Sequence, residues 1–213
     1  MILYDYWRSS SAWRVRIALR LKGVAFERRV VNLIKDGGEQ HSDAFRALNP
    51  SGQVPVLIPD EGGRAITQSM AIIAYLEERF PTPPLLPADP WRRARARQLA
   101  EMINAGIQPY QNLPVLERLK ALGVDQMEWA RGFNARGLAA LEAAARETAA
   151  TFLVGDAPSL ADVYLIPQLY AARRFSVDLA PYPTLLGVEA ACARLDAFAA
   201  AHADAQSDAV PAR

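Results

Sequence analysis

The sequence predicts an α/β fold followed by an all-α one: a βαβ–ββα unit over residues 1–82 and a helical domain over residues 83–213. Three observations carry this. Short β-rich runs alternate with helical patterns as far as Phe80. The stretch "PTPPLLPADP" then places five prolines in ten residues, a density that neither a helix nor a central strand accepts. Beyond it every long segment has helical character.

Each element follows in order. "MILYDYW" starts with β-formers and predicts a short strand. From Ser11 on, Val15, Ala18 and Leu19 share one face at helical spacing, and Gly23 stands where a C-cap belongs. "FERRVVNL" is the second strand, and strand–helix–strand favours parallel pairing. "QVPVLIP" and "RAITQS" are two short strands joined by the turn "DEGG". "SMAIIAYLEERF" is a helix with Ser69 as its expected N-cap. After the prolines, "GLAALEAAARETAA" is Ala-rich and strongly helical. "SLADVYLIPQLYAARRF" opens with Ser159 and Asp162 at capping-box spacing, a structural pair. "AAHADAQSDAVPAR" lacks apolar periodicity and is expected to be a frayed tail.

Composition narrows the function. Half of the 213 residues are hydrophobic and the formal net charge is +1, so a packed core is expected and a basic partner surface is not. This argues against nucleic acid or an anionic membrane as main partner. The start has no basic and apolar leader, and no stretch approaches roughly 18 uncharged apolar residues, so neither secretion nor a membrane span is expected. The single cysteine, Cys192, excludes an internal disulfide, fits a reducing cytoplasm and reads as a small core residue. No metal site is expected. Arg92, Arg93, Arg95 and Arg97 read as a solvated or subunit-facing helix surface.

Three features of the first domain can carry chemistry. Ser9, Ser10 and Ser11 lie between a strand and a helix, where backbone N–H groups and a helix dipole favour an anion. Plain capping explains them equally well. Val54-Pro55, after "NPSGQ", suits a cis-proline turn that leaves the Val54 backbone open to pair with an extended peptide. Gln68-Ser69 begins a helix, which suits a carboxylate or, again, a simple cap.

Together these motifs resemble a known family. A βαβ–ββα unit of thioredoxin-like type followed by a helical domain is the layout of the glutathione transferases. "RSSSAWRVRIAL", "NLIKDGGEQ", "ALNPSGQVP", "QSMAIIAYLEERFPTPPLLP", "GIQPYQNLPVL" and "RRFSVDLAPYPT" resemble its zeta class, from residue 1 to about residue 200. The resemblance implies glutathione as cofactor. It places Ser9, Ser10 and Ser11 around the glutathione sulfur, with Ser9 donating to the thiolate and Trp13 and Arg14 continuing the binding stretch. Gln40 would reach the glycyl end, Val54 would pair with the cysteinyl backbone, and Gln68 with Ser69 would hold the γ-glutamyl carboxylate. From the helical domain, Gln108, Asn112, Leu113 and Pro114 would close the site. Ser11 stands where the class has Cys and Ala12 where it has Ser, which leaves glutathione as the sole sulfur nucleophile.

The class also implies cis–trans isomerisation of a maleyl diketo dicarboxylate, by reversible thiolate addition to the double bond. Two carboxylates need cationic partners, and Arg8 and Arg174 are the candidates, with bidentate geometry a reason for Arg. Maleylacetoacetate is the leading substrate. Maleylpyruvate, or conjugation of α-haloacids, is the close alternative, and a non-catalytic glutathione-transferase-like module the distant one. That last reading predicts loss of the glutathione contacts, whereas the serines, Val54-Pro55 and Gln68-Ser69 are all present. A homodimer is expected from the resemblance.

Overall fold

The computed structural model describes residues 1–60 and 63–210 and divides the chain into two compact units. One comprises Met1–Pro84 together with the segment from Leu195 onward, and the other Leu85–Arg194. Glu61 and Gly62 of the expected "DEGG" turn, and the last three residues of the expected tail, lie outside the described residues.

The first unit is built on a four-stranded sheet of order β2-β1-β3-β4. Its strands are β1 (Ile2–Asp5), β2 (Glu27–Val30), β3 (Val56–Ile58) and β4 (Ile66–Thr67). β1 and β2 are parallel, joined through helix α1 (Ser10–Leu21), and the other two pairs are antiparallel. The βαβ–ββα order is as the sequence predicts. α1 ends as expected, with Gly23 at φ 64° donating to Arg20 O and Val24 donating back to Leu19 O, a left-handed stop that glycine adopts without penalty. A short helix, α2 (Asp43–Leu48), was not legible in the sequence. Helix α3 (Ser69–Arg79) starts one residue earlier than a Ser69 cap implies: the N-cap is Gln68, and Ser69 is the first helical residue.

The expected tail, residues 200–213, contains only the end of a helix and one 3₁₀ turn, but its described part is anchored to the first unit. Residues 196–201 form a helix (labelled α9 below, in chain order) that packs on α1, and 3₁₀ residues Ala203–Ala205 follow it. Trp13 of α1 meets the His202 ring edge-on at 4.9 Å, and Arg16 Nε donates to Ala201 O at 3.1 Å. Helix α1 is therefore covered on one side by β1 and α3 and on the other by this segment, and all eight residues Ala12–Leu19 are buried. Phe198, Ala201 and Ala203 are buried here beside the polar contacts, a set too short and too small-sided to give an apolar period.

The second unit is helical: α4 (Pro90–Asn104), α5 (Leu113–Ala121), α6 (Gln126–Ala145), α7 (Leu160–Arg174) and α8 (Pro183–Cys192). α7 is its centre, buried continuously from Leu160 to Leu169 and packed on α4, α6 and α8. The predicted capping box is present: Asp162 accepts from Ser159 N at 2.7 Å, from Ser159 Oγ at 2.9 Å and from Leu153 N at 2.8 Å. Burial pushes its carboxyl up to about 6, against the pull of these donors. Cys192 is buried, and burial raises its thiol well above the ordinary range, so it is a core residue and a poor nucleophile. Arg95 does not belong to a purely solvated face, because its Nη2 reaches Ala144 O at 2.7 Å and Glu147 at 2.9 Å. Among the described residues no helix is long and apolar enough to cross a membrane.

Candidate functional site

The sheet register brings the serine loop, Val54 and Gln68-Ser69 to one end of the first unit. Tyr4 pairs with Val56 and Val56 with Thr67. Continuing those ladders by two residues and by one places Val54 beside Tyr6 and Gln68 beside Pro55. β1 leaves the sheet at that same end and leads through Tyr6, Trp7 and Arg8 to α1.

At the start of α1, Ser9 is the N-cap, and its Oγ accepts from Ala12 N at 3.3 Å. A hydroxyl accepts through a lone pair and still carries its proton, so capping and donation outward are compatible at one oxygen. The N–H groups of Ser10 and Ser11 have no partner among the described residues, and the first turn holds no acidic side chain. Ser9, Ser10 and Ser11 are all partly exposed. This end of the helix offers two N–H donors, a hydroxyl and a positive dipole to an anion.

The Val54–Pro55 bond is cis, as expected, and neither polar backbone group of Val54 is bonded within the unit. Gln68 has φ 69° and ψ 119°, a conformation that costs a non-glycine residue about 1–3 kcal/mol and is found where surrounding structure imposes it. Here β4 fixes one side of Gln68 and α3 the other. It offers no side-chain cap to α3, whose first turn also lacks an acidic residue. The Ser69 side chain accepts from Arg14 Nη1 at 3.5 Å, tying the two helix N-termini together.

Two of the expected binding residues are buried. Trp13 and Arg14 are 1% and 0% exposed, so their side chains lie in the core of the first unit, behind the serine loop that precedes them in sequence. They follow the serines in sequence, but one helical turn carries them into the core. Gln40 is buried in the 3₁₀ turn Glu39–His41, beside the Gly52 turn that leads to Val54. Its Nε2 donates to Leu33 O at 3.3 Å, while its Oε1 is buried without a partner, an acceptor that a peptide N–H would satisfy.

Arg8 stacks over the Trp7 ring, 5.3 Å from guanidinium to centroid, and forms no ion pair among the described residues. The loop that carries it is held by Arg16, which the sequence pattern did not single out. Arg16 is 1% exposed; its Nη1 reaches both oxygens of the fully buried Asp5 at 2.6 and 2.8 Å, and its Nη2 donates to Trp7 O at 2.8 Å. Burial lowers the Arg16 guanidinium from its ordinary value, and Asp5 opposes the shift. The signal was the "WRVR" run itself: arginine on a helix that is buried all round requires a buried carboxylate.

In the helical unit, Gln108 Nε2 donates to Asn112 Oδ1 at 2.6 Å across one 3₁₀ turn, and Leu113 and Pro114 are exposed at the start of α5. Gln111 between them is anchored in the core, its Oε1 accepting from Asn134 at 2.7 Å and from Gln168 at 3.3 Å. Gly137 lets α6 approach this turn, since a Cβ there would stand 2.4 Å from Ile107 Cγ1. Neither Gln111 nor its two buried partners was expected. Arg174 is exposed at the end of α7, 5.5 Å from the Phe175 ring, and Arg173 is held by both oxygens of Glu189 at 2.5 Å. Among the described residues no group of three His, Cys, Asp or Glu side chains lies together as a metal site would need.

Residues 3–84 match the glutathione S-transferase N-terminal domain, and residues 135–203 the glutathione S-transferase C-terminal domain. The maleylacetoacetate isomerase of Rattus norvegicus is 49% identical over 97% of this chain and 94% of its own length. A maleylacetoacetate isomerase from Anaeromyxobacter dehalogenans 2CP-1, solved with bound GSH in the active site, is 57% identical. It superposes with a TM-score of 0.90 over 98% of this chain and 97% of its own. The holo structure of a maleylpyruvate isomerase, a bacterial glutathione S-transferase in Zeta class, is 46% identical, with a TM-score of 0.93 over 99% of this chain and 100% of its own.

Proposed function

The chain belongs to the glutathione S-transferase family, and from that premise we propose that it is a glutathione-dependent cis–trans isomerase of a maleyl diketo dicarboxylate, with maleylacetoacetate as leading substrate. The observation that carries the reading is the convergence of two helix N-termini and the unpaired Val54 backbone at one end of the sheet. That arrangement fits a γ-glutamyl-cysteinyl-glycine peptide: an edge for its backbone and an anion position on either side.

When bound, glutathione supplies a thiolate that adds reversibly to the cis double bond, allows rotation and leaves unchanged. The chain's own residues make that thiolate available. Ser9 Oγ donates to it, and the Ser10 and Ser11 N–H groups with the α1 dipole favour its negative charge, which lowers the thiol pKa. Val54 pairs with the cysteinyl backbone. Gln68 and Ser69 hold the γ-glutamyl carboxylate at the α3 N-terminus, and the orphaned Gln40 oxygen takes the glycyl N–H. In the helical unit the proposal assigns glutathione contacts to Gln108, Asn112, Leu113 and Pro114.

Arg8 and Arg174 each bind one substrate carboxylate, which defines the substrate class. A charge-assisted contact of this kind contributes about 1.5–3 kcal/mol. Arg174→Ala is expected to lower kcat/KM for maleylacetoacetate roughly 10- to 150-fold. Conjugation of glutathione to a neutral electrophile should stay near wild type, because it needs the thiolate and not the arginines. Arg174→Lys should recover only part of the loss. Equal losses on both substrates in one preparation would sink the dicarboxylate reading. Maleylpyruvate is the second reading, since a maleylpyruvate isomerase is 46% identical over 99% of the chain, and the ratio of kcat/KM on the two substrates decides between them.

We propose a cytoplasmic location, which fits the single buried cysteine. It is also proposed to be a homodimer. Sedimentation at micromolar concentration should give twice the 23.4 kDa chain mass, and a clean monomer would overturn the assignment.

A further inference from the structure

The Trp7 peptide is gripped from two sides. Arg16 Nη2 donates to its carbonyl at 2.8 Å, and its N–H donates to Asp208 Oδ2 at 3.1 Å. Asp208 lies 201 residues further along the chain, in the segment that covers α1. Its other oxygen accepts from Arg28 Nη2 at 2.7 Å, and Arg28 Nε donates to Asp5 at 2.5 Å. Burial would lower the Arg28 guanidinium, but Asp5 and Asp208 together raise it above its ordinary value. Two aspartates and two arginines thus form a charge-balanced chain, Asp208–Arg28–Asp5–Arg16, that closes on a single peptide group. A buried charge set of this kind is seldom a net source of stability, but it fixes geometry well.

The held residue has a use. Trp7 is 5% exposed, and its ring is the platform over which the Arg8 guanidinium stacks. Arg8 makes no other charged contact among the described residues, so the direction of its planar fork is set by where Trp7 sits. We propose that Asp208 is a positioning residue: by fixing the Trp7 N–H it aims Arg8 at a substrate carboxylate. This rests on the assignment of Arg8 to the substrate. The proposal gives the C-terminal segment a part in substrate selection without its touching the substrate. Misplacement of a binding group by about 1 Å can cost up to 10²-fold in rate, and losing one of two grips on the loop should cost less.

A double-mutant cycle tests this. Asp208→Ala should lower kcat/KM for maleylacetoacetate about 10-fold, mainly through KM, and leave conjugation of a neutral electrophile within about 2-fold of wild type. In an Arg8→Ala background the same substitution should cost less than about 2-fold further, because the residue it acts through is gone. Asp208→Asn, which keeps an oxygen for the Trp7 N–H but removes the charge facing Arg28, should lose less than Asp208→Ala. It also carries the cycle if the alanine variant does not fold, with glutathione binding and melting temperature as fold controls. Additive losses in the cycle, equal losses on both substrates, or wild-type KM in Asp208→Ala would each overturn the positioning role. Arg8→Ala alone reports on the reading beneath it: a wild-type KM there removes Arg8 from the substrate, whatever Asp208 does.

Discussion

Ser9→Ala is expected to lower isomerase kcat about 100-fold, the range seen when one preorganised donor is removed from a developing or stabilised anion. The same change removes an N-cap worth about 1 kcal/mol. The two losses are separable, because the Ser9 oxygen accepts from Ala12 N and donates through its own proton. Ser9→Asp keeps the acceptor and caps as well as serine, but it has no proton to give and sets a negative charge beside the thiolate. It should melt close to wild type and lose at least as much activity as Ser9→Ala. The absorbance of the bound thiolate across a pH series reads the cause directly: the titration of glutathione should move to higher pH in both variants. Full activity in Ser9→Asp would transfer the donor role to Ser10 or Ser11.

Asp5→Ala is expected to cost about 3–5 kcal/mol in urea unfolding, the largest stability effect among the residues described, because it strands Arg16 at 1% exposure with a charge and no carboxylate. Pairing it with Arg16→Met removes the stranded charge and should restore much of the stability. It should not restore activity, since the Trp7 carbonyl then loses its donor and the loop one of its two grips. A cost below about 1 kcal/mol for Asp5→Ala alone would mean that water reaches Arg16 and that the cluster is not buried in solution.

The reach of the sequence depended on whether a feature was local. The βαβ–ββα succession along the chain, α1, the glycine stop at Gly23 and the Ser159–Asp162 box are local patterns of spacing and residue type, and all are present as expected. The Gln68 cap was missed by one residue because a glutamine at φ 69° follows no propensity rule; its neighbours impose it. The site divides in the same way. The serines, Val54 and Gln68-Ser69 stand on loops at element ends, where motif and position coincide. The burial of Trp13 and Arg14 was not legible, because the motif continues into a helix whose second face is covered by a segment nearly 200 residues away. Asp208 was invisible for the same reason. Its stretch carries no apolar period, and its value lies wholly in contacts with Trp7 and Arg28.

That covering segment makes the sheet-bearing unit discontinuous in the chain, with residues 85–194 inserted between its two parts. A nascent chain therefore presents the whole helical unit before it presents the last piece of the unit it began with. Until Asp208 has been synthesised, the Trp7 N–H lacks its acceptor, one face of α1 is bare and Arg28 faces a single carboxylate. The helical unit is contiguous and can fold as it emerges. The unit that starts first is completed only after the helical unit has been made, and substrate selection, if it depends on the grip on Trp7, waits for the segment that carries Asp208.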